Sequence, residues 1–181
     1  MAKPYVLGLI VGRFQTVHLG HTDMIGKALE LCETVCVLVG SSQESGTEAN
    51  PFSYEVRESM LKAVYGAQID VFPLPDIGAG NNCLWGEHVL NRVRELLSRT
   101  PDLFISGKED RRSGWFSGTA GRSVSELFIP RTVDISASRM RGFLLVNDRA
   151  SWQRFSDPAL WPMFGDLRAC VLASAGNNKT G

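Results

Sequence analysis

The chain has 181 residues, of which 44% are hydrophobic and 21% are charged, and its 19 Lys and Arg balance its 19 Asp and Glu. A chain of this size fits one domain and buries about 70% of its unfolded surface without needing disulfides or a structural metal. The apolar fraction and the zero net charge exclude intrinsic disorder and long-range electrostatic capture of nucleic acid. An anionic ligand would instead have to be bound by a local cluster of cations and backbone N–H groups.

Five short apolar runs, rich in β-branched residues, predict strands that are buried on both faces of a sheet. They lie at residues 5–11, 35–39, 69–74 and 103–106, and at 127–129 with 132–133, where Pro130 interrupts the run. Apolar residues recur at helical spacing in residues 19–33, after Ser53 and in about 83–99. Ser53 is expected to cap the second of these helices.

The alternation of strands and helices predicts an α/β fold, with a parallel sheet, right-handed crossovers and helices on both faces. We expect one domain over residues 1–173, ending in a helical part, and a disordered tail over 174–181. Ligands of such sheets bind beyond the carboxyl ends of the strands, so a site is expected in the loops that follow them.

The four cysteines are Cys32, Cys36, Cys83 and Cys170, and they lack the two close pairs of a zinc ribbon. We therefore expect buried, reduced thiols. The apolar run before Gly12 is too short for a signal peptide or a membrane span. These features predict a cytoplasmic protein with no membrane partner.

The loop after the first strand carries Arg13, His18 and His21 and leads directly into a helix. The two histidines are three residues apart, so they share one face at the start of that helix. Gly20 lets a ligand approach the backbone, and the helix N-terminus adds N–H donors and partial positive charge. This combination is typical of a polyphosphate site. The alternative is a metal site that also includes His88, although no Asp or Glu stands in the segment.

Two further groups of cations lie at or beyond the ends of later strands. Ser136 is expected to cap a helix, and Arg141 lies about one and a half turns into it, where a guanidinium can fork onto phosphate oxygens. Lys108 follows the fourth strand in a basic run with Asp110, Arg111 and Arg112. That run is either a solvated surface or a nucleotide contact.

Trp85 lies in the first turn of the third predicted helix, three residues after Asn82. It continues an apolar stripe with Val89, Val93 and Leu96, which favours a core residue. At the mouth of a site, the indole could instead stack on a planar base, and Asn82 could both donate to and accept from a carboxamide. The spacing alone leaves both interpretations open.

Several segments resemble a known enzyme superfamily, over roughly residues 5–155. The sequence HLGH at 18–21 is the HxGH motif of the HIGH-type nucleotidylyltransferases, and ISASRMR at 135–141 is similar to their second signature. Within that superfamily, other segments resemble the nicotinamide mononucleotide (NMN) adenylyltransferases of the archaeal type. These are GRFQ at 12–15, GSSQES at 40–45 with NPF at 50–52, and PLPDI at 73–77 with NCLW at 82–85.

The sequence departs from the family pattern at a few positions. Thr16 and Val17 stand where a proline and an aromatic residue are usual. Ala137 and Ser138 replace a Ser-Thr pair, which keeps one hydroxyl, and Ala49 stands where a basic residue often precedes the NPF segment.

The resemblance implies a Rossmann-like nucleotidylyltransferase fold and two sets of substrate contacts. Residues that match the family's ATP site are Gly12, Arg13, Phe14, Gln15, His18, Gly20, His21, Gly107, Lys108, Ser136, Ser138 and Arg141. Among them, Arg13, His18, His21 and Arg141 would be catalytic. Residues that match its NMN site are Ser41, Asp76, Ile77, Asn82 and Trp85. No protein side chain is expected to ligate a metal, because Mg²⁺ would be carried on the ATP phosphates.

The reaction that the resemblance implies is the transfer of the adenylyl group of ATP to NMN, which yields NAD and pyrophosphate. Self-association is also implied, whereas no nucleic-acid or membrane partner is. One alternative is a sister transferase, such as a cytidylyltransferase or a phosphopantetheine adenylyltransferase. Another is a non-catalytic nucleotide sensor of the same fold. Turnover with ATP separates the sensor from the enzymes, and the acceptor separates the enzymes from each other.

Overall fold

A parallel sheet of five strands forms the centre of the structure, a computed structural model that describes residues 2–78, 82–107, 114–116, 123–130 and 132–176. Its strands are β1 (Tyr5–Gly12), β2 (Cys32–Gly40), β3 (Asp70–Leu74), β4 (Leu103–Ser106) and β5 (Ser125–Phe128). They lie in the order β3-β2-β1-β4-β5, and each neighbouring pair is parallel. The predicted α/β fold is confirmed.

Helices of the described residues connect the strands and extend the chain beyond the sheet. They are α1 (Leu19–Leu31), α2 (Tyr54–Tyr65), α3 (Cys83–Leu97), α4 (Ala137–Leu145), α5 (Arg149–Arg154) and α6 (Phe164–Gly176), with 3-10 turns at Gly66–Gln68 and Pro158–Met163. The predicted cap of α2 is present, since the Ser53 hydroxyl accepts from the N–H of Val56 at 3.5 Å. None of these helices has the length and apolar character needed to cross a membrane.

Two apolar layers lie on opposite faces of the sheet, because successive side chains of a strand point to opposite sides. On one face, Ile10 of β1 and Val37 of β2 belong to a core that includes α1, α2 and the C-terminal helices. On the other face, Leu9 and Leu38 pack with α3, whose Val89 is fully buried. Helices therefore cover both faces, as the alternation of elements predicts.

Two predicted boundaries of the sheet are wrong. Residues 32–33 belong to β2 rather than to the first helix, because Cys32 pairs with Tyr5 of β1 and the sheet ladder overrides the local helical spacing. Residues 132–133 lie outside β5, which ends before Pro130. Proline has no N–H to donate, so the ladder does not continue through it.

The C-terminal helix is longer than the sequence predicts. Ser174 is buried, and its hydroxyl donates to the carbonyl of Cys170 at 2.9 Å, so residues 174–176 belong to α6 and not to a disordered tail. Residues 177–181 lie outside the described part of the chain. All four cysteines are free thiols, and Cys32 and Cys36 are buried as expected. The expectation of burial is wrong for Cys83, which is exposed in the first turn of α3, and Cys170 is only half-buried.

Candidate active site

A cleft of about 350 Å³ opens at the carboxyl ends of β1 and β4. The strand order reverses between these two neighbours, which is where open α/β sheets bind their ligands. All predicted ATP-site residues that the structure describes line this cleft: Gly12, Arg13, Phe14, Gln15, His18, Gly20, His21, Gly107, Ser136, Ser138 and Arg141. Lys108 and the basic run after it lie outside the described residues.

The loop after β1 brings the two histidine rings into contact. His18 is the N-cap of α1, with an extended backbone (φ −147°), and so precedes the first helical turn. Its ring stacks on that of His21, with 3.9 Å between the ring centroids. A Cβ atom at position 20 would lie 3.2 Å from the His18 ring, so Gly20 gives this stack the space it needs.

Phe14 packs beneath the histidine pair. Its backbone lies in the left-handed region (φ 51°), which costs a non-glycine residue energy and persists only where the surroundings enforce it. The buried ring lies 4.8 Å from the His21 ring, and a Cβ at Gly12 would approach it to 3.1 Å. The close packing of Gly12, Phe14 and His21 therefore constrains the loop that carries the histidines.

The N-terminus of α1 offers fewer N–H donors than the sequence predicts. The N–H of Leu19 donates to the Phe155 carbonyl at 3.0 Å, and those of His21 and Thr22 donate to the His18 carbonyl at 2.8 and 3.1 Å. The turn after α5 thus occupies one donor that an anion could have used. Side-chain cations consequently carry more of any anion binding in this cleft.

Arg141 reaches from α4 across to the loop after β1. Ser136 caps α4 as predicted, accepting from the N–H of Arg139 at 3.2 Å, and Arg141 follows in the second turn. Its guanidinium donates to the Gln15 carbonyl at 2.5 Å and to the Ser138 hydroxyl at 3.3 Å. These two contacts orient the cation on the wall of the cleft.

Gln15 differs from the expectation for a residue whose side chain binds ATP. Its side-chain amide donates to the Phe52 carbonyl and accepts from the Phe52 N–H, both at 3.0 Å, and the residue is almost fully buried. The side chain thus joins two loops, and the Gln15 carbonyl is the group that contacts Arg141.

The cleft concentrates positive charge. Burial lowers the pKa of Arg141, nearby Arg13 lowers it further, and Glu48 acts in the opposite direction. Arg13 is exposed at the rim, where its guanidinium lies 3.5 Å from the side-chain oxygen of Asn50. Two neighbouring cations in a partly dehydrated cleft repel each other, and a bound polyanion would relieve that repulsion.

The predicted NMN-site residues lie along the next strands and not in the cleft. Ser41 follows β2, is buried and has a left-handed backbone (φ 48°). Asp76 and Ile77 follow β3, and the N–H of Asp76 donates to the Gln43 side chain at 3.0 Å. The structure therefore brings the ATP-site residues together and places this second group at the adjacent edge of the sheet.

Asn82 and Trp85 begin α3 at that edge. The side-chain oxygen of Asn82 accepts from the N–H groups of Leu84 and Trp85 at 3.1 and 3.3 Å, so it caps the helix. The acceptor predicted to contact a carboxamide is therefore engaged by the backbone. The indole of Trp85 is half-buried, 6.2 Å from the ring of Trp115 and 5.3 Å from that of His88. It contacts the core with part of its surface and keeps the rest accessible.

The metal alternative for the histidines finds no support in this arrangement. His88 is on α3, where a ring nitrogen lies 3.1 Å from the Pro75 carbonyl, and it contacts Trp85 rather than the histidine pair. In the ranges that the structure describes, no three His, Cys, Asp or Glu residues are grouped so as to hold a metal ion.

Two features of the site were not predicted from the sequence. The Asp23 carboxylate, which lines the cleft from α1, accepts from the Thr132 hydroxyl at 2.7 Å and thereby links α1 to the segment before α4. Arg57 is fully buried next to the loops after β1 and β2. Helical spacing could have predicted its burial, because Arg57 shares the apolar face of α2 with Met60, Leu61 and Val64.

Comparison with known sequences identifies the family. The cytidylyltransferase-like family matches residues 9–142, a span that contains both the histidine pair and Arg141. The chain belongs to this family.

A nicotinamide-nucleotide adenylyltransferase of Saccharolobus solfataricus is 40% identical over 88 residues, which are 45% of this chain and 50% of the relative. One of Thermococcus kodakarensis is 36% identical over 92 residues, 48% of each chain. The chain thus matches about half the length of these curated relatives.

Solved structures agree on the fold. A bifunctional NMN adenylyltransferase/ADP ribose pyrophosphatase from Francisella tularensis, complexed with AMP and a manganese ion, superposes with a TM-score of 0.74 at 17% identity, over 97% of this chain and 53% of that one. NadR protein in complex with NAD and AMP-PNP superposes with a TM-score of 0.62 at 20% identity, over 86% and 46% of the two chains. The Rossmann-like nucleotidyltransferase fold is therefore shown for this family member.

Proposed function

We propose that this protein is a nicotinamide-nucleotide adenylyltransferase of the archaeal type, which transfers the adenylyl group of ATP to NMN. The observation that carries the proposal is the convergence of His18, His21, Arg13 and Arg141 on one cleft at the switch point of the sheet. Relatives at 34–40% identity that bear this enzyme's name support the choice of reaction and acceptor.

The proposed reaction needs no general base on the protein. The second pKa of a phosphate monoester is about 6, so the NMN phosphate is already ionised at neutral pH. One of its oxygens attacks the α-phosphorus of ATP and forms the new P–O bond, while the bond to the bridging oxygen breaks and pyrophosphate leaves with that electron pair. The protein has to hold two anions in line and neutralise the charge on the leaving group.

The residues of the cleft suit that task. Arg141 presents a guanidinium that its contacts to Gln15 and Ser138 already orient. His18 and His21 lie together in the loop that approaches the cleft from β1, and Arg13 stands at the rim. A preorganised set of donors of this kind stabilises charge that develops during phosphoryl transfer. We assign these four residues to the ATP phosphates.

Mg²⁺ is proposed to enter with ATP as part of the substrate. It prefers oxygen ligands, keeps several waters and commonly binds through substrate phosphates. The chemistry of the described cleft fits this role, because cations and imidazoles line it together with the single carboxylate of Asp23. Oxygens of the phosphates would then provide most of the ligands.

Incubation with ATP, Mg²⁺ and NMN is expected to yield NAD and pyrophosphate in equal amounts, and removal of the metal with EDTA is expected to stop the reaction. A screen that measures pyrophosphate release with a panel of phosphorylated acceptors tests this directly. Turnover of another acceptor without NAD formation would identify a sister transferase. ATP binding without turnover of any acceptor would identify a nucleotide sensor.

The acceptor site is proposed to lie at the edge formed by Ser41, Asp76, Ile77 and the start of α3. Trp85 supports this placement because its indole is half-buried beside Trp115 and so presents an accessible aromatic surface. Such a surface can stack on the nicotinamide ring. The side-chain oxygen of Asn82 already caps α3, so the proposed acceptor contact rests mainly on Trp85.

Trp85→Ala is expected to raise KM for NMN about tenfold or more and to leave KM for ATP nearly unchanged. Loss of a stacking surface costs about 1–3 kcal/mol of binding, which corresponds to at least that factor. Measurement of both KM values and of Tm tests the assignment. Trp161→Ala, which removes an exposed indole that does not line the cleft, is the matched control.

An equal rise in both KM values, together with a lower Tm, would show that Trp85 is a core residue and does not stack on the nicotinamide ring. The two roles are distinguishable because loss of stacking affects only the KM for NMN, whereas loss of core packing affects both KM values. The cytoplasmic location and the self-association of the protein stay predictions.

A further inference from the structure

Arg57 is a fully buried cation whose described hydrogen bonds all go to backbone carbonyls. Burying a charged side chain is costly unless hydrogen bonds or an opposite charge compensate it. No ion pair joins Arg57 to a carboxylate in the part of the chain that the structure describes. Its guanidinium donates instead to the carbonyls of Gly40 (2.8 Å), Arg13, Ser41 and Ser53 (3.1 Å each) and Glu44 (3.5 Å).

These carbonyls lie at the end of β2 and in the loops that follow the two neighbouring parallel strands β1 and β2. The ladder between β1 and β2 ends with Gly12 opposite Val39. One residue further along each chain segment, a single guanidinium nitrogen of Arg57 donates to the carbonyls of both Arg13 and Gly40. Arg57 thus joins the two loops at the point where the sheet no longer does so.

Each of the joined loops carries one of the proposed substrate sites. The loop after β1 continues from Arg13 to the histidine pair of the ATP site. The loop after β2 contains Ser41, whose left-handed backbone (φ 48°) and buried side chain need support from the surroundings. The second nitrogen of the guanidinium provides that support, because it donates to the Ser41 carbonyl.

We propose that Arg57 is a positioning residue that sets the distance between the ATP-binding loop and the NMN-binding loop. This inference rests on the proposed function, because it takes the two loops to hold the two reacting phosphates. In-line transfer depends steeply on the separation of the reacting atoms, and a displacement of about 1 Å can lower the rate by about 10²-fold. The described hydrogen bonds of Arg57 go to backbone carbonyls, so it is proposed to act on the reaction through the backbone of these loops.

The test compares Arg57→Lys and Arg57→Met with Lys62→Met. Lys62 is the matched control, because it is a cation of the same helix that also donates to a backbone carbonyl, that of Ile69, at the end of α2 away from the site. For each variant we would measure kcat, the Kd values of ATP and of NMN bound separately, and Tm.

Arg57→Lys keeps the charge but loses the planar fork, so it is expected to lower kcat at least tenfold while each separate Kd changes less than threefold. Arg57→Met is expected to lower kcat by about 10²-fold or more. Lys62→Met should keep kcat within twofold of the unmodified protein. This split, at an unchanged number of binding sites per chain in the same titrations, is the signature of positioning. A general loss of folded protein would lower the number of sites that bind each substrate in proportion to the activity.

Three results would overturn the proposal: an unchanged kcat in both Arg57 variants, Kd values that weaken by the same factor as kcat, or an equal loss of kcat in Lys62→Met. Should Arg57→Met fail to fold, Arg57→Lys decides at a temperature well below its Tm. The unmodified protein tests the proposed function in the same assay. If it uses another acceptor, the kcat and Kd values for that acceptor test Arg57 independently.

Discussion

Alanine at His21 or at Arg141 is expected to lower kcat for NAD formation by about 10²-fold or more. Each side chain is proposed to stabilise negative charge that develops on the phosphates, and removing one preorganised donor of this type costs about 2.7–4 kcal/mol of transition-state stabilisation. Arg141 is held in place by Gln15 and Ser138, and His21 by the rings of His18 and Phe14. Steady-state kinetics with saturating ATP and NMN measure the effect.

Arg139→Ala is the matched control for Arg141→Ala. Arg139 is on the same helix, but its guanidinium lies 3.4 Å from the Asp134 carboxylate and over the rings of Phe143 and Phe155, outside the lining of the cleft. We expect its kcat to stay close to that of the unmodified protein. A kcat within threefold of normal in His21→Ala or Arg141→Ala would show that the assigned role of that residue is wrong.

Gly86→Ala is expected to destabilise the protein by about 1–3 kcal/mol, the range for inserting an atom into a closely packed interior. Gly86 lies in α3, and a Cβ there would stand 1.9 Å from the carbonyl oxygen of Trp115. The obstacle is backbone, so neither a side-chain rotation nor a small adjustment removes it. Chemical and thermal unfolding measure the loss, and Tm should fall by about 2–4 °C for each kcal/mol.

Gly26→Ala is the control for this substitution. Gly26 also lies inside a helix, α1, but a Cβ there would have no neighbouring atom within 4 Å. Alanine favours a helix by about 0.5–1 kcal/mol over glycine, so this variant should be slightly more stable than the unmodified protein. Equal stability changes in the two variants would contradict the close approach of α3 to Trp115.

The positions of the strands and helices follow largely from local patterns of the sequence. Ser53 and Ser136 both cap the helices that the sequence predicts after them. A capping bond joins residues two or three apart, and a buried strand shows itself as a continuous apolar run, so both signals are contained within a few residues. The same local rule would also have identified Asn82 as a cap, which limits its proposed contact with a carboxamide.

The location of the cleft that is proposed to bind ATP was also predictable. Parallel strands bring their carboxyl ends to one edge of the sheet, and the sequence places Arg13 and the two histidines after β1. Arg141, more than a hundred residues away, reaches that edge because α4 follows β5. The sequence alone could thus determine which residues meet, although not which atoms face the ligand.

Only the tertiary structure decided how the polar groups of these residues are used. The Gln15 side chain bonds to Phe52, the N–H of Leu19 bonds to Phe155, and Arg57 bonds to carbonyls of two loops. These partners are distant in sequence, and no local pattern selects one of them over another. Leaving a buried donor or acceptor without a partner is costly, so most of them are paired when the chain packs. The choice of partner depends on which groups the complete fold brings within hydrogen-bonding distance.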